Sequence, residues 1–282
     1  MTRILIVNAD DFGLTDGVSR AVISAHRDGI VTSTSLLALA PRFRATAPWL
    51  DDAPDLGIGA HLAIVGEDPP VLSQREIPTL VDRRGRLALS WRQLLPRAAA
   101  GRVDSGDVER ELNAQLDLLH DVIGDRRLSH VDTHQHLHLW PAIGAVVVRL
   151  ATQRGIRAAR LPRSSGRSPV SAAVNRLARR FERRAAAAGV ATPRAFAGFD
   201  EGGGMDERRL VSTLAQLAGR PVSSAEIGVH PGEASDPDLA RYKWGYAWDI
   251  ELAALTSPLV RSAVESHGFT LGTFDALDPA GS

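Results

Sequence analysis

The stretch ILIVNADDFGLTDG, residues 4–17, joins an apolar run to two adjacent carboxylates. Neighbouring residues of an ideal β-strand point to opposite faces, so Asp10 and Asp11 can share a pocket only if the backbone leaves strand geometry. Two buried carboxylates are also costly unless each has a partner. We therefore expect a turn at Phe12 and Gly13, and we expect distant segments of the chain to supply partners for both acids.

Six further apolar runs follow and alternate with segments of helical periodicity. They are STSLLAL (33–39), GIGAHLAI (57–64), LSHVDTH (128–134), IRAARL (156–161), SAEIGVH (224–230) and FTLGTF (269–274). Between them, apolar residues recur with helical spacing, as at Leu112, Leu116 and Leu119 before a stop signal at Gly124. The alternation predicts an α/β fold with about seven parallel strands, in a sheet or barrel whose ligands gather at the carboxyl ends of the strands.

Two segments interrupt this alternation, at about 65–105 and 162–205. The chain has 282 residues, of which 44% are hydrophobic, and this suffices for one large domain. We expect residues 1–282 to form a single domain with these two segments as insertions. The insertions are either surface loops or the walls of a substrate cleft, since long loops in compact domains are often functional.

Composition and missing motifs exclude several classes of protein. The formal net charge is zero, so no overall field attracts nucleic acid or an anionic membrane. The absence of cysteine excludes a thiol nucleophile and a cysteine-based metal site. Neither a Walker loop nor a GxSxG elbow occurs. With no apolar run long enough to span a membrane and no secretory pattern, we expect a cytoplasmic protein.

The strongest chemical signal is HVDTHQHLHLWP, residues 130–141. Five polar residues share one parity, so all would face one side of an extended chain: His130, Asp132, His134, His136 and His138. Such a face does not form an apolar core, and it indicates a metal or acid–base site. A catalytic ion of the zinc type takes three protein ligands, so the other histidines would orient ligands or hold water.

Other candidate residues lie at the ends of other predicted strands. His61 lies near the end of the third run, and His230 ends the run that begins near Ser224. His61 is either a hydrogen-bonded core residue or part of the site, and His230 is either a surface turn residue or a proton donor. Arg160 and Arg163 follow the fifth run and could pair with a carboxylate or bind an anionic group.

An aromatic cluster lies in RYKWGYAW, residues 241–248. Trp244 and Tyr246 belong to this cluster, in which aromatic residues alternate with other types. They could form a platform on which a sugar ring stacks, or they could anchor a loop onto the barrel.

Together, five motifs resemble the YdjC-like (ChbG/HpnK-like) carbohydrate deacetylase family. They are LIVNADDFGLTDGV, GIVTSTSLLA, LGIGAHLAI, HVDTHQHLHLWP and IGVHPGE. The resemblance runs from near residue 4 to residue 274. It implies a distorted (β/α) barrel related to the polysaccharide deacetylases. It also implies metal-dependent removal of acetyl groups from N-acetylated sugars, and a possible homodimer.

The resemblance further implies roles for individual residues. A divalent ion would be held by Asp11, His61 and His134, with Asp10 as general base and His230 as general acid. Which acid is the base and which is the ligand stays open. The preferred ions are Mg²⁺ and Zn²⁺, and the alternatives are Co²⁺, Ni²⁺ and Mn²⁺. We assign substrate binding to a further set of residues: His136, Arg160, Arg163, Trp244 and Tyr246.

The sequence leaves two other functions open. One is a metallohydrolase of the amidohydrolase or phosphoesterase type, although those enzymes usually carry their H-x-H pair early in the barrel. The other is a sugar-binding module without catalysis, against which the intact set of acids and histidines argues.

Overall fold

A computed structural model describes residues 3–278, which form one parallel sheet surrounded by helices. The strands are β1 (Arg3–Phe12), β2 (Ser33–Leu36), β3 (Gly57–Leu62), β4 (His130–Thr133), β5 (Ala158–Ala159), β6 (Ala195–Ala197), β7 (Ser224–Val229) and β8 (Phe269–Leu271). Their order is β5-β4-β3-β2-β1-β7-β6, with β8 beside the start of β1. The sheet curves into a half-barrel, which confirms the predicted α/β barrel class.

All seven predicted strands are present, and most are shorter than the apolar runs that indicated them. The structure adds β6, which lies within the segment 162–205 that we treated as an insertion. The strands β5 and β8 are as short, but each lies within a longer run that marked it, whereas no such run surrounds β6 (Ala195–Ala197), which explains why it was not predicted.

Helices cover the outside of the sheet. They are α1 (Asp16–Arg27), α2 (Phe43–Thr46), α3 (Trp91–Ala99), α4 (Ser105–Ile123), α5 (Pro141–Gln153), α6 (Pro169–Ala187), α7 (Glu207–Ala218), α8 (Trp248–Leu255) and α9 (Pro258–Ser266). Over residues 3–278, no helix combines the length and the apolar content that crossing a bilayer requires.

The two faces of β1 meet different surroundings. Leu5, Val7 and Ala9 belong to the large apolar core. Ile6 lies on the other face, in a small apolar cluster that includes Phe274. Because side chains alternate along a strand, the positions that follow Ile6 on its face are Asn8 and Asp10. That face of β1 therefore changes from apolar to polar toward its carboxyl end.

The sequence suggested that the first strand ends before the two acids. In the structure, β1 continues through Asp10 and Asp11 and has a β-bulge at these two residues. Between Ala9 and Phe12, two residues of β1 face the single residue Ser35 of β2. Asp11 has a φ of 65°, which is rare for a residue with a side chain. Such a bulge re-aims neighbouring side chains, so Asp10 and Asp11 no longer point to opposite faces. The expected turn follows, as the Leu14 N–H donates to the Asp11 carbonyl at 2.9 Å.

Candidate metal centre and active site

Three buried side chains from three strand ends meet in one cluster. Asp11 comes from the bulge in β1, His61 from β3, and His134 from the residue directly after β4. The Asp11 Oδ1 atom lies 3.4 Å from His61 Nε2 and 3.5 Å from His134 Nδ1. The two histidine nitrogens are 3.3 Å apart. We call these three residues the metal cluster.

The metal cluster has the size and chemistry of a cation site. Ligands about 2.1 Å from a tetrahedral ion lie about 3.4 Å from one another, which matches the observed triangle. Asp11 Oδ1 is buried and accepts no hydrogen bond. A buried carboxylate oxygen without a partner is costly, and a cation would satisfy it. The residues therefore fit a divalent ion.

A second group of possible ligands, Asp10, His61 and Asp132, overlaps the first. The carboxylates of this group are already engaged. Asp10 accepts hydrogen bonds from Asn8 and Arg160, and Asp132 accepts from Ser35 and from the His61 ring. Fewer lone pairs remain for an ion there, so the metal cluster with Asp11 is the better site.

Asp132 determines the orientation of the His61 ring. His61 Nδ1 lies 2.7 Å from Asp132 Oδ1, which directs Nε2 into the metal cluster. A carboxylate behind a histidine ligand is a common support for a metal site. Burial lowers the pKa of His61, because it disfavours the charged ring. The negative charges of Asp132, Asp10 and Asp11 have the larger effect and raise this pKa to about 9. A cation that binds near neutral pH must therefore displace a proton from His61.

Arg160 lies at the centre of the buried charges and is itself fully buried. Its guanidinium donates to both oxygens of Asp10 at 2.6 Å and to Glu226 at 2.6 Å, and it lies 2.9 Å from Asp132. Burial raises the pKa of Asp10, but Arg160 outweighs it and lowers this pKa to about 2. Because its side chain is fully buried, Arg160 supports Asp10 and does not contact substrate, which corrects the prediction.

The substitution Arg160→Met should destabilise the protein strongly. It would leave Asp10, Asp132 and Glu226 buried without their shared cation, and removing one partner of a buried ion pair typically costs about 3–5 kcal/mol. Protonation of Glu226 should absorb part of this cost, since burial already raises its pKa to about 7. Urea denaturation monitored by circular dichroism would measure the change.

Arg163 provides the matched control. Its guanidinium binds Glu182 at 2.7 Å in a partly exposed pair, so Arg163→Met should cost no more than about 1 kcal/mol. Equal losses for the two variants would contradict the central role of Arg160. Arg163 lines a separate pocket with Asp200, which also corrects its predicted place in the substrate site.

The metal cluster opens onto a cleft of about 580 Å³. Asp10 and His230 line it, with His230 Nε2 lying 3.8 Å from Asp10 Oδ2. The aromatic residues Trp244 and Tyr246 line it too. The ring centroids of Trp244 and His134 are 5.2 Å apart, and those of Tyr246 and His230 are 4.7 Å apart. The structure therefore brings the predicted catalytic, metal and aromatic residues together around one opening.

The five polar residues of 130–138 do not share one face. Strand β4 ends at Thr133, and a 3₁₀ segment, His134–Leu139, follows it. Gln135 and His136 both have a φ near +55°, which ends the alternation that the sequence suggested. His136 still reaches the cleft, where it stacks on Phe199 at 5.2 Å.

His130 and His138 are buried structural residues. His130 stacks on Phe274 at 3.8 Å and lies within hydrogen-bond distance of Ser35 and Ser129. His138 Nδ1 lies 2.8 Å from the Thr133 hydroxyl. Burial lowers the pKa of each histidine to about 3, so both stay neutral.

Sequence reasoning missed several residues that support the site. Asn8, Ser35 and Glu226 join the buried network around Asp10 and Asp132. A signal for Glu226 was present, because a single acid inside the apolar run SAEIGV needs a buried partner. No comparable signal marks Ser35, whose role follows from its place opposite the bulge.

The chain is similar to known proteins over almost its whole length. A family model described as YdjC-like protein matches residues 4–266. A chitooligosaccharide deacetylase of Yersinia pestis (strain Pestoides F) is 30% identical over 277 residues, covering 97% of this chain and 99% of that protein. Another of Serratia marcescens is 31% identical over 280 residues, covering 98% of this chain and 100% of that protein.

One solved structure has a closely similar fold. It comes from Enterococcus faecalis V583 and is provisionally called a cellobiose-phosphate cleavage protein. It superposes with a TM-score of 0.80 at 26% identity, covering 98% of this chain and 99% of that one. The matched region of the family model includes the metal cluster, Asp10 and His230. The chain therefore belongs to the YdjC-like protein family.

Proposed function

We propose that this protein hydrolyses the acetamide group of an N-acetylated amino sugar with the help of a divalent metal ion. The observation that carries the proposal is the metal cluster of Asp11, His61 and His134, which opens onto a cleft beside Asp10 and His230. The relatives named chitooligosaccharide deacetylases, which match 97% and 98% of the chain, support the same chemistry.

The metal cluster would hold the ion through one carboxylate and two imidazoles. When bound, a divalent cation supplies polarisation of the acetyl carbonyl and a lower pKa for a water molecule. Imidazole ligands suit Zn²⁺, Co²⁺ or Ni²⁺ better than Mg²⁺, which prefers oxygen ligands. We therefore favour a transition-metal ion of the zinc type over the magnesium that the sequence left open.

Asp10 is the general base in this proposal, and Asp11 is the ligand. Arg160 keeps Asp10 ionised and holds both of its oxygens, so the carboxylate has a defined position at the cleft wall. It takes the proton of the attacking water. Asp11 suits the ligand role, because its Oδ1 is buried without a hydrogen bond.

His230 would serve as the general acid. Its ring lines the same cleft, and Nε2 lies near Asp10. Its backbone N–H donates to the buried Glu251 at 2.5 Å, which holds this end of β7 in position. His230 donates a proton to the leaving amine of the sugar. Trp244 and Tyr246 offer ring faces on which the sugar can stack.

An assay of acetate release tests the function. Protein reconstituted with Zn²⁺ should release acetate from N-acetylglucosamine or N,N′-diacetylchitobiose, and a chelator should stop the reaction until metal is restored. Release of phosphate from phosphoesters instead would favour another metallohydrolase. Binding of the sugars without acetate release, with metal bound, would favour a sugar-binding module and overturn the proposal.

A further inference from the structure

Tyr246 carries a hydroxyl group that the proposed chemistry does not use. The residue lines the cleft and is partly exposed. Its hydroxyl forms no hydrogen bond with any of the residues 3–278. The other tyrosine of the chain, Tyr242, differs in this respect, because its hydroxyl donates to Asp68 at 3.0 Å. A phenol without a protein partner at the wall of a cleft is a hydrogen-bond donor available to a ligand.

The ring of Tyr246 is held on the side of the cleft that carries His230. The centroid of the Tyr246 ring lies 4.7 Å from that of His230 and 5.1 Å from that of Trp248. Gly203 has a φ of 74°, and a Cβ atom at this position would overlap the Tyr246 ring. The ring therefore packs directly against the backbone. A Cβ atom on the cleft residue Gly202 would lie 3.9 Å from the hydroxyl oxygen, so the hydroxyl has a defined position at the cleft wall.

The surroundings of Tyr246 keep its hydroxyl protonated. Burial raises the pKa of this phenol above its ordinary value, and the negative charges of Asp11, Asp10 and Glu251 raise it further. Asp11 and Asp10 are the proposed metal ligand and general base, so the hydroxyl lies within the electrostatic influence of the catalytic centre. A phenol that stays protonated can donate a hydrogen bond there but cannot act as a base.

We propose that the Tyr246 hydroxyl donates a hydrogen bond to the acetamide oxygen of the substrate and stabilises the negative charge that this oxygen gains during hydrolysis. This inference rests on the proposed function and adds a catalytic residue to the same site. In the first step, the water oxygen bonds to the carbonyl carbon, one water proton passes to Asp10, and the π electrons of the C=O bond move to the oxygen. In the second step, that electron pair reforms the carbonyl, the C–N bond breaks, and His230 protonates the nitrogen.

Other side-chain donors around this centre are committed elsewhere. Arg160 is fully buried and cannot reach a substrate. The indole N–H of Trp244 donates to Glu67 at 3.0 Å. In the proposed reaction, His230 gives its proton to the nitrogen of the amide. The oxygen and the nitrogen are bonded to the same carbon, so a donor that packs beside His230, as Tyr246 does, is well placed for the oxygen.

The substitution Tyr246→Phe tests the proposal, because it removes the hydroxyl and keeps the ring. Loss of one donor to an oxyanion typically costs ~10²–10³-fold in kcat, and we expect that loss for acetate release from N,N′-diacetylchitobiose by Zn²⁺-loaded protein. The interaction strengthens only as charge develops, so kcat and kcat/KM should fall together while KM and metal content stay the same. Tyr242→Phe is the matched control, since Tyr242 does not line the cleft. It should leave kcat unchanged.

A binding measurement separates an effect on the transition state from an effect on sugar recognition. The probe is the methylphosphonamide analogue of N-acetylglucosamine, in which a tetrahedral phosphorus with charged oxygens replaces the carbonyl carbon. Tyr246→Phe should weaken its binding to Zn²⁺-loaded protein by the same factor by which kcat/KM falls. The affinity of chelator-treated protein for N-acetylglucosamine itself should stay the same. Isothermal titration calorimetry measures both affinities.

The pH profile gives a further readout, which a purely structural role of the ring would not change. The chain contains two tyrosines, so global incorporation of fluorotyrosine into the Tyr242→Phe variant labels Tyr246 alone. Fluorine lowers the pKa of a phenol, and a phenolate cannot donate a hydrogen bond. Activity should therefore be lost on the alkaline side at progressively lower pH as the number of fluorine atoms rises. An alkaline limb that does not move would contradict donation by this hydroxyl.

Failure of this inference is distinguishable from failure of the proposed function. If the wild-type protein releases no acetate, the deacetylase proposal is overturned, and this inference with it. If the wild-type protein releases acetate and Tyr246→Phe is as active as Tyr242→Phe, only the inference is overturned. A rise in KM at unchanged kcat would also overturn it, because the hydroxyl would then bind the sugar and not the acetamide oxygen.

Discussion

The substitution His61→Ala should abolish metal retention and acetate release together. His61 supplies one of only three ligand atoms in the proposed site, and its Nε2 lies within 3.4 Å of both other ligand atoms. Loss of a residue that merely supports a metal ligand typically costs 10–100-fold in affinity or activity, so loss of a ligand should exceed ~100-fold. Metal content after dialysis and the rate of acetate release would be measured on the same protein.

Asp11→Ala and His134→Ala should behave in the same way, because each removes one corner of the triangle. His120→Ala is a suitable control, since His120 is exposed on α4 and does not line the cleft. It should retain full metal and full activity. Normal metal content in any one of the three cluster variants would contradict the assignment of that residue.

The substitution Asp10→Asn should lower kcat by ~10²–10⁴-fold while the protein keeps its metal. That range is the usual contribution of a general base, and asparagine preserves the shape of the side chain without its basicity. Because Arg160 lowers the pKa of Asp10 to about 2, Asp10 stays ionised at any pH above about 4. If wild-type activity falls on acidification at any pH above about 4, the fall should therefore come from the protonation of groups other than Asp10.

This variant also decides between the two neighbouring acids. If Asp10→Asn loses the metal and Asp11→Asn retains it, the proposed roles are reversed. Asp16→Asn is the control, since Asp16 forms a partly exposed ion pair with Arg42 and does not line the cleft. It should retain both metal and activity. Near-ultraviolet circular dichroism of each variant would verify that the protein keeps its tertiary packing.

Much of the fold was accessible from the sequence for a simple physical reason. A buried parallel strand must be apolar over several residues, and a covering helix must carry apolar residues with helical spacing. These requirements are local, so the runs at 4–8 and 57–64 could be identified as strands. Because parallel strands place their carboxyl ends at one edge, Asp11, His61 and His134 could be expected to meet.

Local reasoning failed where the backbone departs from regular geometry. The alternation from His130 to His138 predicted one shared face, but the left-handed residues Gln135 and His136 send these side chains to different places. A residue with a positive φ does not change the order of polar and apolar residues along the chain. The sequence pattern therefore gives no sign of it. Only the folded chain distinguishes the cluster residue His134 from the core residues His130 and His138.

The sequence by itself determined the order of the strands along the chain, the apolar core and the set of acids and histidines at the strand ends. Tertiary structure decided the role of each side chain. Asp10 and Asp11 are chemically identical neighbours, and they differ because the bulge opposite Ser35 turns Asp10 toward Arg160 and Asp11 toward two histidines. The partners come from distant parts of the chain, and electrostatic roles depend on distances that exist only after folding.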